Sequence, residues 1–191
     1  MKKIITCSNA LLLLIAAGNA LAEPGSGFGL SIGAANSSMN GTTTATGATY
    51  SYSSSGLSVG MDYQIALFKN FSINPMLMSS GEDVSGTNQA SNAGGHAILG
   101  LQLRYWMDDF FIGGQVGKYG EVLSSSTSTG GGTTTTTDTA VGGSGRGVVV
   151  GWAPSKSKWF VMGQFDTADL DNASTKVKFT GTRASIGYRW K

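Results

Sequence analysis

The stretch AILGLQLRYWMDDFFIGGQV, Ala97 to Val116, contains two alternating arms around Asp108-Asp109. In the first arm Ala97, Leu99, Leu101, Leu103, Tyr105 and Met107 share one face. His96, Ile98, Gly100, Gln102, Arg104 and Trp106 share the other. After the turn, Phe110, Ile112, Gly114 and Val116 resume the apolar face, opposite Gly113 and Gln115. A strand alternates its side chains with period two, so this pattern predicts a β-hairpin with one oily side. Its other side carries glycine, amide and guanidinium rather than the Lys and Glu expected on a soluble surface. A narrow interior suits that composition.

Six further segments carry the same alternation to different degrees. The predicted strands are 26–36, 54–65, 70–80, 95–107, 110–122, 144–153, 158–168 and 177–190. Three connections are short: Ala66–Lys69, Asp108-Asp109 and Pro154–Ser157. Four are long and polar: Ser37–Ser53, Gly81–Gly94, Leu123–Gly143 and Asp169–Lys176. Long and short connections alternate along the whole chain. Outer-membrane barrels have an even strand number, short periplasmic turns and longer external loops. The expected fold is therefore all-β, a closed eight-stranded antiparallel up-and-down barrel with both termini in the periplasm. The alternative, a soluble periplasmic β-sandwich, would need a more charged outer face.

The N-terminus reads as a cleaved secretory signal over 1–22. Lys2 and Lys3 precede the apolar Leu11–Ala17, and Ala20-Leu21-Ala22 supplies the small-x-small site before Glu23. Residues 23–191 are expected to form a single barrel domain. The one cysteine, Cys7, lies in the signal, which removes disulfides, thiolate metal sites and cysteine nucleophiles from consideration. Without Lys2 and Lys3, 11 basic residues face 11 acidic ones, so no basic patch suggests nucleic acid. No long apolar run follows the signal, which excludes a helical membrane protein but not a barrel.

The expected lipid-facing aromatics near the periplasmic ends are Tyr63, Tyr105, Trp152, Trp159, Tyr188 and Trp190, an interfacial girdle. On the opposite parity, Asp62, Gln64, Gln102, Arg104, Gln115, Glu121, Gln164, Asp166, Arg183 and Arg189 are expected to point inward. An eight-stranded barrel is only wide enough for side chains to fill it, so these groups should pair as a polar plug. The competing reading is a narrow gated conduit for small solutes. Pro75 cannot donate to a ladder, so a bulge is expected there. Arg146 and Lys118 fall on the outer parity near the external end, where long side chains can reach lipopolysaccharide phosphate.

The architecture resembles the small outer-membrane barrels, the group that includes the OmpA transmembrane domain and the OmpX/Ail type. The last residues, Ala184-Ser-Ile-Gly-Tyr-Arg-Trp190, are similar to the aromatic-ended final strand that the barrel assembly machinery recognises in this class, although Lys191 follows the aromatic. The resemblance covers the mature chain in architecture. It implies an outer-membrane location, lipid and lipopolysaccharide as surroundings, and a monomer.

The candidate chemistry is sparse. A two-residue turn at Asp108-Asp109 places His96 opposite Glu121, a rim pair capable of acid/base work. In the lipid A deacylase among barrel enzymes a serine would lie two residues after the histidine, and here Ile98 occupies that place. No metal site or cofactor site is expected, since a lone histidine without cysteine does not make a zinc cluster. Glu82-Asp83 and Asp166-x-x-Asp169-x-Asp171 lie near expected external loops without a recognised calcium spacing. Ser124–Thr139 is almost wholly Ser, Thr and Gly, too polar to order itself by burial. It is either a mobile coat or a contact for an external ligand. The functional expectation is thus a structural or surface-interaction role, adhesion being one form of it, without enzymatic activity. A narrow pore and a lipid A-modifying enzyme are the alternatives.

Overall fold

The computed structural model describes residues 26–68, 70–87, 91–129 and 133–190; the expected signal at 1–22 and Lys191 lie outside them. Eight strands follow one another: β1 (Gly27–Thr43), β2 (Thr49–Phe68), β3 (Phe71–Thr87), β4 (Ser91–Met107), β5 (Phe110–Thr129), β6 (Thr133–Trp152), β7 (Trp159–Asp171) and β8 (Thr175–Trp190). Each pairs antiparallel with its sequence neighbours. β1 also pairs with β8 from Phe28↔Trp190 to Thr43↔Thr175, which closes the barrel. No helix of the described residues is long and apolar enough to cross a membrane, which leaves strand crossing untouched.

Alternation sets the two faces of the wall. Leu57 is 69% exposed while its neighbour Ser58 is 2% exposed. Outward residues include Leu30, Ile32, Val59, Met61, Leu99, Leu101, Leu103, Ile112, Val148, Val150 and Ile186. An apolar exterior around a partly polar interior is the reverse of a soluble protein, and it matches the lipid-facing belt of a membrane barrel.

The opening hairpin has the expected register. Met107 pairs with Phe110 across a two-residue turn, and Gln102↔Gln115 and His96↔Glu121 follow. Asp108 has φ 54°, the one positive value at a non-glycine among the described residues. Aspartate tolerates that left-handed conformation better than most side chains.

Three sequence expectations need correction. The long connections are mostly strand. β5 and β6 pair as far as Thr129↔Thr133, so the Ser/Thr/Gly segment forms ladder rather than a loose loop. Extending a hairpin satisfies the backbone locally and does not require the buried apolar surface on which the coil reading depended. Pro75 makes no bulge. Its pairing with β4 runs unbroken through Pro75↔Leu101. The β2–β3 ladder instead lapses between Asp62↔Met76 and Ile65↔Ile73 without changing register, and the shift falls at Ala66/Phe68. A proline can sit in a closed wall when one ladder gives way beside it. The third correction concerns Tyr63, whose parity is outward but which is only 8% exposed. The flanking register sets it across the lapse from buried Pro75, and it pairs with Phe28, so it contributes little to an outer girdle.

Tyr105, Trp152, Trp159 and Trp190 do present their rings outward, and Tyr188 does so in part. Their end of the barrel carries linked ring contacts. Trp159 meets Tyr188 at 5.2 Å, Tyr188 meets Trp190 at 4.9 Å and Phe71 meets Tyr105 at 5.0 Å between centroids.

Inside, two large rings lie on glycine. A Cβ at Gly151 would collide with the Phe111 ring, and one at Gly187 with the Phe160 ring. The missing side chains are therefore the space into which these rings pack. Substituting valine at Gly151 or Gly187 is expected to lower folding stability by about 1–3 kcal/mol each through overpacking. A fall in the urea midpoint of the refolded protein in micelles checks this. An unchanged midpoint would show that the rings are not confined there.

Candidate functional site

All ten polar residues expected in the lumen are buried inside the barrel: Asp62, Gln64, Gln102, Arg104, Gln115, Glu121, Gln164, Asp166, Arg183 and Arg189. They fall into two charged clusters joined by amides. Towards the short-turn end, the Asp62 carboxylate accepts from Arg104 at 3.0 Å, Arg189 at 3.1 Å and Asn74 at 3.0 Å. The guanidinium of Arg104 lies 4.7 Å from the centre of the Phe111 ring, and that of Arg189 lies 4.8 Å from Phe160. Each cation therefore faces both the shared carboxylate and an aromatic ring, an arrangement that offsets part of its desolvation. Arg189 also donates to Gln64.

Amides carry the network up the barrel. Arg104 donates to Gln102 Oε1, and Gln102 Nε2 donates to Gln115 Oε1 at 2.8 Å. Gln164 donates to the same Gln115 oxygen at 2.9 Å, while Gln115 donates to Asp166. Arg183 lies beyond them, 3.5 Å from Asp166 and donating to Gln164 at 3.2 Å.

His96 belongs to a different pair from the one its register suggested. Its backbone is opposite Glu121, but its Nδ1 lies 2.8 Å from Glu82 Oε1. Arg183 contacts Nε2 of the same ring. A guanidinium only donates, so Nε2 accepts and the Nδ1 proton is left for Glu82. Ser37, Ser54 and Ser80 also donate to the Glu82 carboxylate. The strand bounds expected from the sequence leave Glu82 in an external loop. β3 instead runs to Thr87, and its parity turns Glu82 inward. Glu121, without His96, makes no hydrogen bond through either carboxylate oxygen among the described residues.

Ser80, His96 and Glu82 are the residue types of a hydrolytic triad, but their geometry differs from one. Ser80 and Glu82 both approach Nδ1, and the basic nitrogen is taken by Arg183. All three are buried. This arrangement gives no accessible nucleophile-base pair. The acidic run is divided by the wall, with Asp166 inside and Asp169 and Asp171 outside. No group of three or more His, Cys, Asp or Glu suited to a metal occurs among the described residues.

The lumen is also more apolar than its sequence suggested. Met76, Met78, Ile98, Phe111, Val149, Phe160, Met162 and Phe179 are buried alongside the charges. Strand parity does place Phe111 with Gln115, so the signal was present. The remaining space beside Asp62, Gln102 and Arg104 is only about 10 Å³. That is room for about one water molecule.

No family model and no curated protein matches this chain. Solved structures do. Ail, the attachment invasion locus protein of Yersinia pestis, aligns with a TM-score of 0.57 at 12% identity over 86% of this chain and 99% of that one. Ail in complex with the heparin analogue sucrose octasulfate gives 0.55 at 14% identity with the same coverage. OprG from Pseudomonas aeruginosa gives 0.47 at 11% identity, over 89% of this chain and 98% of that one. The fold is that of the small eight-stranded outer-membrane barrels. As such a barrel, this chain places its charged lumen within a wall that the apolar belt surrounds.

The two ends of the lumen network should respond oppositely to mutation. Asp62→Ala strands two buried guanidiniums and is expected to cost about 3–5 kcal/mol. Glu121→Gln removes a carboxylate without hydrogen-bond partners and is expected to leave stability unchanged or raise it. Urea unfolding of both variants in micelles compares them. A loss in Glu121→Gln equal to that in Asp62→Ala would refute the assignment of Asp62 as the organising acid.

Proposed function

We propose that the protein is an outer-membrane barrel with a filled lumen that acts through its external end, by contact with an extended segment of an outside partner. The outer-membrane location is supported by the apolar belt, the aromatic rings at one end and the likeness to Ail. The signal read over 1–22 fits export, and the aromatic-ended β8 fits delivery to the barrel assembly machinery.

One observation carries the contact reading. The β5–β6 hairpin outruns its neighbours. β4 pairs with β5 only as far as Ser125, and β7 pairs with β6 only from Gly142. Among the described residues, 126–129 of β5 and 133–139 of β6 therefore keep one backbone edge beyond those ladders, while pairing with each other through Thr129↔Thr133; at Ala140 the edge is closed by Asn172, which donates to its carbonyl. An open strand edge is a template for another extended chain, with main-chain hydrogen bonds supplying the affinity. The neighbouring barrel also has a name that speaks of attachment and invasion. A structural role without a partner is the simpler form of the same reading. The packed lumen gives the pore reading no comparable support, and the occupied Nε2 of His96 gives none to the lipid A enzyme.

Replacing residues 126–136 with an Asn-Gly turn tests the contact. Bacteria displaying the shortened protein are expected to lose most of the binding to host cells or matrix that the intact chain confers. Heat-modifiable migration on a gel verifies that the barrel remains folded. Undiminished binding by a folded, shortened barrel would overturn the proposal.

A further inference from the structure

The stretch between Glu121 and Arg146 carries a single ionisable residue, Asp138. Within it the β6 edge over 133–139, TTTTTDT, lies beyond β7, and Asn172 closes the ladder below it at the Ala140 carbonyl. Natural sheets guard such edges with lysine, proline or a bulge. This edge has no lysine or proline, and the β5–β6 register runs unbroken from Phe110↔Trp152 to Thr129↔Thr133. Threonine favours extended backbone and pairs well with threonine across strands.

A second copy of the chain offers the same seven residues. Antiparallel pairing centred on Thr136 sets Thr133 opposite Thr139, Thr134 opposite Asp138 and Thr135 opposite Thr137. No other antiparallel register engages the whole of both edges. The two aspartates then lie four residues apart, about 14 Å along the strands. That exceeds the screening length of about 8 Å at physiological ionic strength. Parallel pairing in register instead sets Asp138 against Asp138 about 5 Å away, and like charges directly opposite oppose pairing.

Strand direction then decides where the second copy stands. β6 descends from Thr133 at the hairpin tip to Trp152 at the aromatic end. Two copies in one membrane have β6 strands that run the same way, so these edges meet in parallel. Copies in facing membranes bring them together antiparallel. A contact between β5 of one copy and β6 of a neighbour in the same membrane is antiparallel, but β5 offers only 126–129. Such head-to-tail contact also leaves an edge free at each end.

We infer that the β6 edge over 133–139 pairs antiparallel with the same edge of a second copy in a facing membrane. The inference rests on the contact reading and names a partner for that edge. A two-fold axis closes each pairing, so the contact is complete with two chains. One seven-residue edge holds weakly, and many copies on two apposed surfaces add their contacts through effective concentration.

Vesicle clustering by the purified protein tests this without cells or matrix. The protein is reconstituted into phosphatidylcholine vesicles, and light scattering follows their association as protein density rises. Intact protein should cluster them, and the form with 126–136 replaced by Asn-Gly should leave them dispersed. T134K sets a lysine against Asp138 twice per contact and should cluster vesicles at about fivefold lower density, given the usual worth of a cross-strand charge pair. T134D sets two like-charge pairs and should raise that density by about as much. T135D carries the same net charge opposite Thr137 and should raise it less than T134D. Heat-modifiable migration verifies that each variant is a folded barrel. Weaker clustering by T134K is the result that parallel pairing predicts, and it would overturn the inference. Dispersed intact vesicles, with hairpin-dependent binding to cells or matrix retained, would overturn the inference and leave the contact reading standing. Loss of both would overturn both.

Discussion

The β1–β8 ladder is the constraint on which the other features depend. Its pairing from Phe28↔Trp190 to Thr43↔Thr175 leaves the wall without a lateral edge over that span. In hydrocarbon every backbone donor and acceptor must be satisfied within the protein, and closure achieves this for a sheet. Closure also commits half of each strand to an interior only wide enough for side chains. The charges placed there must therefore find partners in the lumen. Asp62 serves two arginines because water is scarce at that level.

The interior solves its packing problem with rings and glycines as well as ion pairs. Phe111 and Phe160 fill the space above Gly151 and Gly187 while facing Arg104 and Arg189. Apolar and charged residues are thus layered together rather than segregated. This explains how a lumen with three arginines can be closely filled. It also connects a glycine on β8 with the electrostatics of Asp62, through one aromatic ring.

Much of this was legible in the sequence because period two is a strong signal when one face is apolar. Gln102 and Gln115 could be placed opposite each other from the Asp108-Asp109 turn alone. The inward direction of all ten polar lumen residues followed from parity. The signal vanishes where both faces are Ser, Thr or Gly, so strand ends beyond the belt look like loops in the sequence. Partner choice was less accessible still. His96 has neighbours on two strands, and the β3–β4 register sets Ser80 opposite it, with Glu82 two residues further on. Only the fold decides that Glu82, rather than Glu121, meets the ring. Pro75 shows the same limit: the sequence marks a missing donor but not which ladder gives way.

Single-channel recording of the refolded protein in a planar bilayer tests the central claim, that this closed barrel is filled by its own side chains. The account predicts no stable large openings, either for the intact protein or for one shortened at the β5–β6 hairpin. Long-lived openings of porin-like size in the intact protein would contradict it.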